Sequence, residues 1–201
     1  MIKFLINFNQ FFCIKENPYS VPACGKKPLT LFYIHNFTSF PIAYETTIEL
    51  VRIIKEKIIT IHNNPLIAPT HFSSNLGYDW NHAYHHYCNN DNTALDKTFF
   101  KYMFFSTYET ITWFYTKNSS FIIEVTPCYK WSDCNPTKDE TFETFEQFMK
   151  NYKPIAIHKI SKETAQEWLK QAQDYLDIVE PQFEQWCKEH KDELYHLKED
   201  A

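Results

Sequence analysis

The sequence predicts an α+β protein in which an antiparallel β-sheet packs against helices that come before and after it. Residues 98–131 alternate side chains with the period of two that an extended chain requires. Residues 46–62 and 161–179 instead repeat apolar side chains at helical intervals. Consecutive strands with helices on either side are typical of the α+β class.

Residues 98–131 are predicted to form a meander of three strands. The residues that alternate between the two sheet faces are Ile111, Trp113 and Tyr115 in the middle strand, and Phe121, Ile123 and Val125 in the last. The polar residues 117–120 between these strands have the length of a hairpin loop. Residues 99–105, which are rich in aromatic side chains, are predicted to be the first strand.

Two further strands and one helix are predicted upstream of the meander. Residues 2–14 and 29–37 have strand composition, and the stretch between them contains three prolines, which indicates a loop. Residues 46–62 are predicted to be a helix that begins with a T-x-x-E capping box. Residues 66–93 are polar, aromatic and irregular, and they predict no element by periodicity.

Downstream of the meander the sequence predicts a helix, a short strand and a long helix. One apolar face runs through residues 142–152, and residues 155–160 have strand composition. The long helix follows Ser161, which suits an N-cap. Pro181 either kinks this helix or separates it from a second one.

The composition predicts one domain over residues 1–201, with a tail at residues 195–201 that frays. Hydrophobic residues make up 44% of the chain, which is enough to build a core. The two glycines, Gly25 and Gly77, are too few for the glycine-rich loops that cradle phosphates. Nucleotide-dependent enzymes of those classes are therefore excluded.

The cysteines and the N-terminus favour a cytoplasmic location. The six cysteines contain no CxxC pair, so the spacing of a zinc ribbon or a thioredoxin-type motif is lacking. Asn7, Asn9 and Gln10 interrupt the apolar N-terminal run, which argues against an export signal. No run approaches the roughly 18 apolar residues of a membrane helix.

Acidic residues are concentrated in the last third of the chain. Residues 139–201 contain 15 Asp and Glu against 8 Lys and Arg, a net charge of −7, whereas the whole chain carries −5. This excess indicates either a solvated helical surface or an anionic face that holds a cationic partner. The candidate partner-binding acids are Glu163, Glu167, Asp174 and Asp177. Direct nucleic-acid binding is disfavoured because no basic patch accompanies the aromatic residues.

Aromatic residues of the meander are a second candidate surface. They are Tyr108, Trp113, Tyr115, Tyr129 and Trp131. Packing in the core explains such residues, but Tyr and Trp are also the usual anchors of protein interfaces. Trp113 and Tyr115 are therefore candidate partner contacts.

One histidine cluster could bind a metal. If residues 79–87 were helical, His82 would share a face with His85 and His86, and imidazoles so placed can chelate zinc. The neighbouring acids Asp79 and Asp91, and the distant His71 and His158, are further candidates. The competing interpretation is a polar surface segment with histidines packed among aromatic side chains.

Catalytic signals are weak. Glu109 and Glu124 lie on adjacent predicted strands, where they suit either an acid–base pair or two surface positions. No GxSxG elbow or recognised catalytic cysteine is present, so no catalytic residue is predicted.

The chain resembles, in whole-chain character, the small immunity proteins that bacteria encode beside polymorphic or contact-dependent growth-inhibition toxins. The features that carry the resemblance are a single α+β domain, FIIEVTPCYKW on a sheet, the helix ISKETAQEWLKQAQDYLDIV, an acidic C-terminal third and the lack of a catalytic motif. The resemblance implies a protein without enzymatic activity or cofactor that binds a cognate basic toxin, such as a nuclease, and occludes its active site. The alternatives are a metal-dependent enzyme using His82, His85 and His86, and an adaptor protein using its aromatic surface.

Overall fold

The computed structural model describes residues 2–7, 10–16, 29–35, 38–45, 47–67, 72, 75–90 and 94–189. These residues form two four-stranded antiparallel sheets and five α-helices, which confirms the α+β class. In chain order the elements are β1 (Ile2–Asn7), β2 (Gln10–Glu16), β3 (Leu29–His35), β4 (Thr38–Glu45), α1 (Thr47–Asn63), α2 (Leu76–Asn89), α3 (Phe99–Tyr102), β5 (Met103–Ser106), β6 (Thr110–Lys117), β7 (Ser120–Pro127), a 3-10 turn (Lys130–Ser132), α4 (Phe145–Asn151), β8 (Ala156–Ile160) and α5 (Lys162–Glu189).

The described residues group into two compact units. The first contains the described residues that fall within 2–39, 43–59 and 163–189, and the second contains those within 40–42 and 60–162. The sheet β1-β2-β3-β4 is assigned to the first unit except at residues 40–42, and the sheet β5-β6-β7-β8 lies in the second. The single domain remains a prediction, and the fraying tail lies outside the described residues.

Two sequence predictions about strands were wrong, and one strand was not predicted. Residues 2–14 are not one strand: they contain β1 and most of β2, which pair as an antiparallel hairpin. Strand β4 was missed because it contains Pro41, and a proline argues against a strand unless the strand lies at the edge of its sheet, as β4 does. The first four residues of the predicted strand 99–105 form α3, because a short aromatic run does not distinguish helix from strand.

The periodic segments were predicted well. Helix α1 is displaced by one residue at each end from residues 46–62, and β8 begins one residue after the predicted 155. Helix α4 is shorter than predicted, since residue 142 precedes it. Helix α5 continues through Pro181 to Glu189, so the proline does not start a second helix.

The hairpin between β6 and β7 is built as its sequence predicts. Lys117 pairs with Ser120, and the turn residues Asn118 and Ser119 have φ angles of 48° and 59°. Two consecutive positive φ angles are typical of a type I′ turn, whose twist matches that of paired strands. This turn fixes the register that places Trp113 opposite Glu124.

Both faces of the strands β6 and β7 are buried. The alternation of side chains along these strands therefore does not distinguish core positions from solvent-exposed ones. Every residue of β6 from Thr110 to Thr116 is buried. On one face, side chains from α2 and α3 pack against β6. The members of this cluster are Leu76, Trp80, Phe99, Tyr102, Ile111, Trp113 and Tyr115.

The core of the first unit forms where α5 packs on β1 and β2. The ring of Trp168 contacts Phe4 and Phe12 edge to face, with centroids 5.8 and 5.6 Å away. The buried residues of α5 recur at helical spacing and are Ala165, Trp168, Ala172 and Leu176. Within the described residues, no helix has the length and apolar character needed to cross a membrane.

Candidate functional site

The candidate acids of α5 lie together on its exposed face. Glu163, Glu167, Asp174 and Asp177 are all exposed. Glu167, Asp174 and Asp177 follow Glu163 by 4, 11 and 14 residues. In a helix with 3.6 residues per turn, these spacings place the four side chains on nearly the same side. We call these four residues the acidic face of α5.

The acidic face also contains one exposed cation, because Lys170 follows Glu163 by seven residues and lies on the same side of the helix. Helix α5 contains seven acidic and three basic residues, a net charge of −4. Within the described part of the chain, no salt bridge involves Glu167, Asp174 or Asp177. Glu180 lies off this face and binds Arg52 of α1, with Nε and Oε1 2.7 Å apart. The four acids and Lys170 together therefore give this side of α5 a net charge of −3.

An apolar side chain adjoins the acidic face. Ile178 is 65% exposed and follows Asp177 directly. Single exposed aliphatic residues are ordinary on protein surfaces, so Ile178 does not by itself define a contact surface.

The aromatic candidates of the meander are mostly not on the surface. Trp113 and Tyr115 are only 0% and 4% exposed, because α2 and α3 pack over them, and Tyr129 is also buried. Because both side chains are covered, the structure gives no support to the prediction that Trp113 and Tyr115 contact a partner. Tyr108 is exposed, and the half-buried Trp131 lies under the Lys130 ammonium at 4.3 Å.

The three candidate histidines do lie on a helix, α2, but their rings do not converge. The His85 ring stacks on Phe145 of α4 at 3.9 Å between centroids, and His82 meets the same ring edge to face at 5.3 Å. His86 is exposed, and its Nδ1 lies 2.8 Å from the Asn90 amide nitrogen. His82 and His85 thus pack on an aromatic ring, and His85 and His86 lie against asparagine amides at the C-terminal end of α2.

The surroundings of His85 disfavour its charged form. Burial lowers the pKa of His85, the Glu146 carboxylate acts in the opposite direction, and His82 and His86 lower it further. Its Nδ1 lies 3.4 Å from Ser132 Oγ and 3.3 Å from the Asn89 amide nitrogen.

No set of metal ligands forms around these histidines in the described residues. Nowhere in the described ranges do three or more His, Cys, Asp or Glu side chains approach each other as a metal requires. His158 of β8 pairs with Ile123 of β7 and lies on the sheet face away from α2. His71 and Asp91 lie outside the described residues. The geometry thus gives the metal-site hypothesis no support.

The carboxylates Glu109 and Glu124 do not form a pair. Glu109 precedes β6 and has a side chain 66% exposed, with Lys130 Nζ 3.9 Å away. Glu124 is 0% exposed and lies opposite Trp113. The two carboxylates therefore occupy opposite environments, and the acid–base pair suggested by the sequence does not exist.

Glu124 instead lies in a buried polar network at the start of α2. Its Oε2 accepts a hydrogen bond of 2.9 Å from the Tyr115 hydroxyl. Its Oε1 has no hydrogen-bond partner of good geometry among the described residues, although the amides of Leu76 and Gly77 are close enough to favour the charged form. Burial is the larger effect and raises the pKa of Glu124 to about 7.

Hydrogen bonds of Asn75 and Asn81 connect α2 to Tyr152 and to the end of β7, the strand that contains Glu124. Asn75 caps the helix by accepting from the Tyr78 amide at 3.0 Å, and it also accepts from the Tyr152 hydroxyl at 3.1 Å. The buried Asn81 donates to the carbonyls of Gly77 and Pro127 and accepts from the Tyr129 amide at 2.7 Å. Each polar atom of the Asn81 side chain is thus satisfied.

Sequence reasoning missed this network because its members are far apart in the chain. Asn75, Asn81 and Gly77 fall in the stretch that showed no periodicity, and Glu124 was interpreted only as a possible partner of Glu109. Asn75 directly before Leu76, with Asp79 in the following turn, is a helix-start signal that would have located the N-terminus of α2. No signal in the sequence indicates that Glu124 lies against that terminus.

The chain has no match among known proteins in any of three comparisons: no protein-family model, no curated protein and no solved structure resembles it significantly.

Proposed function

We propose that this protein is a bacterial immunity protein that acts in the cytoplasm without catalysis. It binds a cognate basic toxin, such as a nuclease, and neutralises it by occluding the toxin's active site. The observation that carries this proposal is the acidic face of α5, on which Glu163, Glu167, Asp174 and Asp177 are exposed together.

The chemistry of the acidic face supports a basic partner. Exposed charges of one sign speed the encounter with a partner of the opposite sign and reject partners of the same sign. Ile178 beside the face provides an apolar contact of the kind that slows dissociation. An enzyme that binds nucleic acid presents a basic surface, and the acidic face is complementary to it.

The test uses tagged protein to capture its partner from cells that encode it. Lysate is passed over the protein at about 50 mM salt, the retained protein is identified and purified, and its toxicity and any nuclease activity are assayed with and without the tagged chain. We expect one basic protein whose activity is abolished at a stoichiometric ratio, and whose binding weakens as salt screens the charges.

A matched pair of triple variants tests the role of the acidic face. E167Q/D174N/D177N removes three charges from the face, whereas E56Q/E109Q/D139N removes three exposed charges elsewhere, so both change the net charge from −5 to −2. The first should lower the affinity about tenfold or more at low salt, with a smaller difference at high salt, and the second should have little effect. Equal losses in both variants, or a captured partner whose activity is unchanged, would contradict the proposal.

A further inference from the structure

A row of aromatic rings on α2 and α3 is not used by the proposed function. Trp80, Tyr84 and Tyr87 are spaced by four and three residues, so they share one side of α2. The Tyr84 ring stacks on Trp80 and on Tyr87, with centroids 5.2 and 6.4 Å away. Phe100 of α3 meets the Trp80 ring edge to face at 5.7 Å. We call these four rings the aromatic row.

The aromatic row is buried in its middle and reaches solvent at both ends. Trp80 is only 5% exposed and packs on Trp113 of β6. Tyr87 is 45% exposed and Phe100 is 52% exposed. The two ends therefore present ring surface that the fold does not cover.

A carboxylate lies beside the Tyr87 end of the row. The Tyr84 hydroxyl donates to Asp133 Oδ2 at 2.8 Å, so this exposed carboxylate lies at the edge of the Tyr84 ring. Within the described ranges, Asp133 forms no salt bridge. Burial raises the pKa of the Cys88 and Cys128 thiols, Asp133 raises both further, and no described lysine, arginine or histidine acts on either. The charge beside the Tyr84 ring is therefore negative and uncompensated.

The two ends of the row differ in charge. Residues 96–101 around Phe100 contain two lysines and one aspartate, a net charge of +1 that disfavours a further cation. Asp133 attracts a cation at the other end, beside Tyr84 and Tyr87. A guanidinium can stack flat on an aromatic ring while its N–H groups reach a carboxylate. The Tyr87 end thus has the chemistry of an arginine site.

We propose that the aromatic row is a contact surface for a protein partner, an arginine of which stacks on Tyr84 and Tyr87 and binds Asp133. The guanidinium donates to Asp133 Oδ1, because Oδ2 already accepts from Tyr84. Lysine fits less well, since its ammonium is more strongly hydrated and cannot stack on a ring. The row belongs to the second unit and the acidic face of α5 to the first, so each surface can be tested by itself.

Titration of the full chain with hexa-arginine and hexa-lysine peptides, followed by amide NMR, tests the arginine contact. The two peptides carry the same charge, so the acidic face of α5 should respond to both about equally. At the aromatic row, the shifts of the Tyr87 and Asp133 amides should give an affinity about two- to fivefold higher for hexa-arginine. The titration is made at low salt and at about pH 7.5, where histidines are mostly neutral.

Variants of two exposed residues separate the ring from the charge. Tyr87→Phe keeps the ring and should keep the preference for arginine, whereas Tyr87→Leu removes the ring and should abolish that preference. Asp133→Asn can still accept from Tyr84 but lacks the charge, and it should weaken hexa-arginine binding at Tyr87 about twofold or more. Tyr108→Leu and Asp139→Asn alter another exposed tyrosine and aspartate and should have no effect at Tyr87.

Several results would overturn the arginine contact. They are the absence of shifts at Tyr87 and Asp133 with hexa-arginine, equal affinities of the two peptides there, and an unchanged affinity in Asp133→Asn, which would indicate an apolar occupant. Tyr87 shifts that change on dilution of the chain without peptide would instead show that a second copy occupies the row. The comparison of the two peptides uses the unmodified chain, so it remains decisive if a variant does not fold.

Discussion

At the scale of single residues, the local geometry decides which substitutions Gly77 and Ser119 tolerate. Gly77 lies in the first turn of α2, where alanine has the better intrinsic helix propensity. Yet the position faces Thr126 and Tyr152 with no space for a Cβ. Ser119 shows the reverse case, because its φ of 59° is a conformation that glycine adopts more easily than serine.

We predict that Gly77→Ala destabilises the protein by about 1–2 kcal/mol. Overpacking typically costs about 1–3 kcal/mol, which exceeds the gain in helix propensity of at most about 1 kcal/mol. Urea unfolding followed by circular dichroism measures the change. Combining it with Tyr152→Phe, which removes one overlapping atom, should recover part of the loss; strict additivity of the two substitutions would argue against the overlap.

We predict that Ser119→Gly stabilises the protein by a few tenths to about 1 kcal/mol. Glycine removes the strain of a left-handed residue in the type I′ turn, and this gain exceeds the entropy that glycine adds to the unfolded chain. The adjacent Ser120→Gly is the control, since it places glycine in β7 and should destabilise. A rise in thermal midpoint for Ser119→Gly and a fall for Ser120→Gly is the expected result.

At the scale of elements, α5 satisfies backbone groups of a strand as well as burying apolar surface. Trp168 Nε1 donates to the Leu5 carbonyl at 2.8 Å, and the Gln171 amide donates to the Lys3 carbonyl at 2.9 Å. β1 is the terminal strand of its sheet, and carbonyls on such an edge have no strand partner on that side. Helix α5 thus covers an edge that would otherwise be open to pairing with another chain.

We predict that removing these two contacts lowers the free energy of unfolding by unequal amounts. Trp168→Phe keeps an aromatic ring against Phe4 and Phe12 but leaves the Leu5 carbonyl unpaired in a partly buried site, which should cost about 1–3 kcal/mol. Gln171→Ala removes an exposed bond and should cost less than about 1 kcal/mol. Denaturant unfolding of both variants tests the order, and a larger loss for Gln171→Ala would contradict it.

At the scale of the whole molecule, the first unit joins residues from both ends of the described chain. The hydrogen bond from Trp168 to Leu5 spans 163 residues of sequence. Because Trp168 of α5 is part of this core, the first unit completes its core only after α5 has been synthesised. Loop-closure entropy also slows the formation of such long-range contacts. The second unit is nearly continuous in sequence.

We predict that the stability of the protein falls as the pH rises from about 4.5 to about 7. Burial raises the pKa of Glu124 from 4.5 to about 7, so the folded state binds a proton that the unfolded state has lost. This contribution is fully present below pH 4.5 and is lost by about pH 7, a change on the order of 3 kcal/mol. Unfolding free energies at several pH values measure it.

His85 acts in the opposite direction, which makes a comparison with Glu124→Gln necessary. The lowered pKa of His85 disfavours its protonated form in the folded state, so its contribution weakens the fold as pH falls below the ordinary value of 6.5. Glu124→Gln should keep the His85 effect and lose the decline between pH 4.5 and 7. An unchanged profile in that variant would show that Glu124 does not titrate in this range.

The sequence by itself determined the elements that have strong periodicity, namely α1, the β6–β7 hairpin, β8 and α5, together with the acidic face of α5. Period and turn chemistry are local properties, so they can be read without the fold. Only the tertiary structure decided the environment of each candidate side chain. It buried Trp113 and Tyr115, packed His82 and His85 on the Phe145 ring and separated Glu109 from Glu124. Burial and hydrogen bonding depend on residues distant in sequence, such as Gly77 against Thr126, which no local pattern encodes.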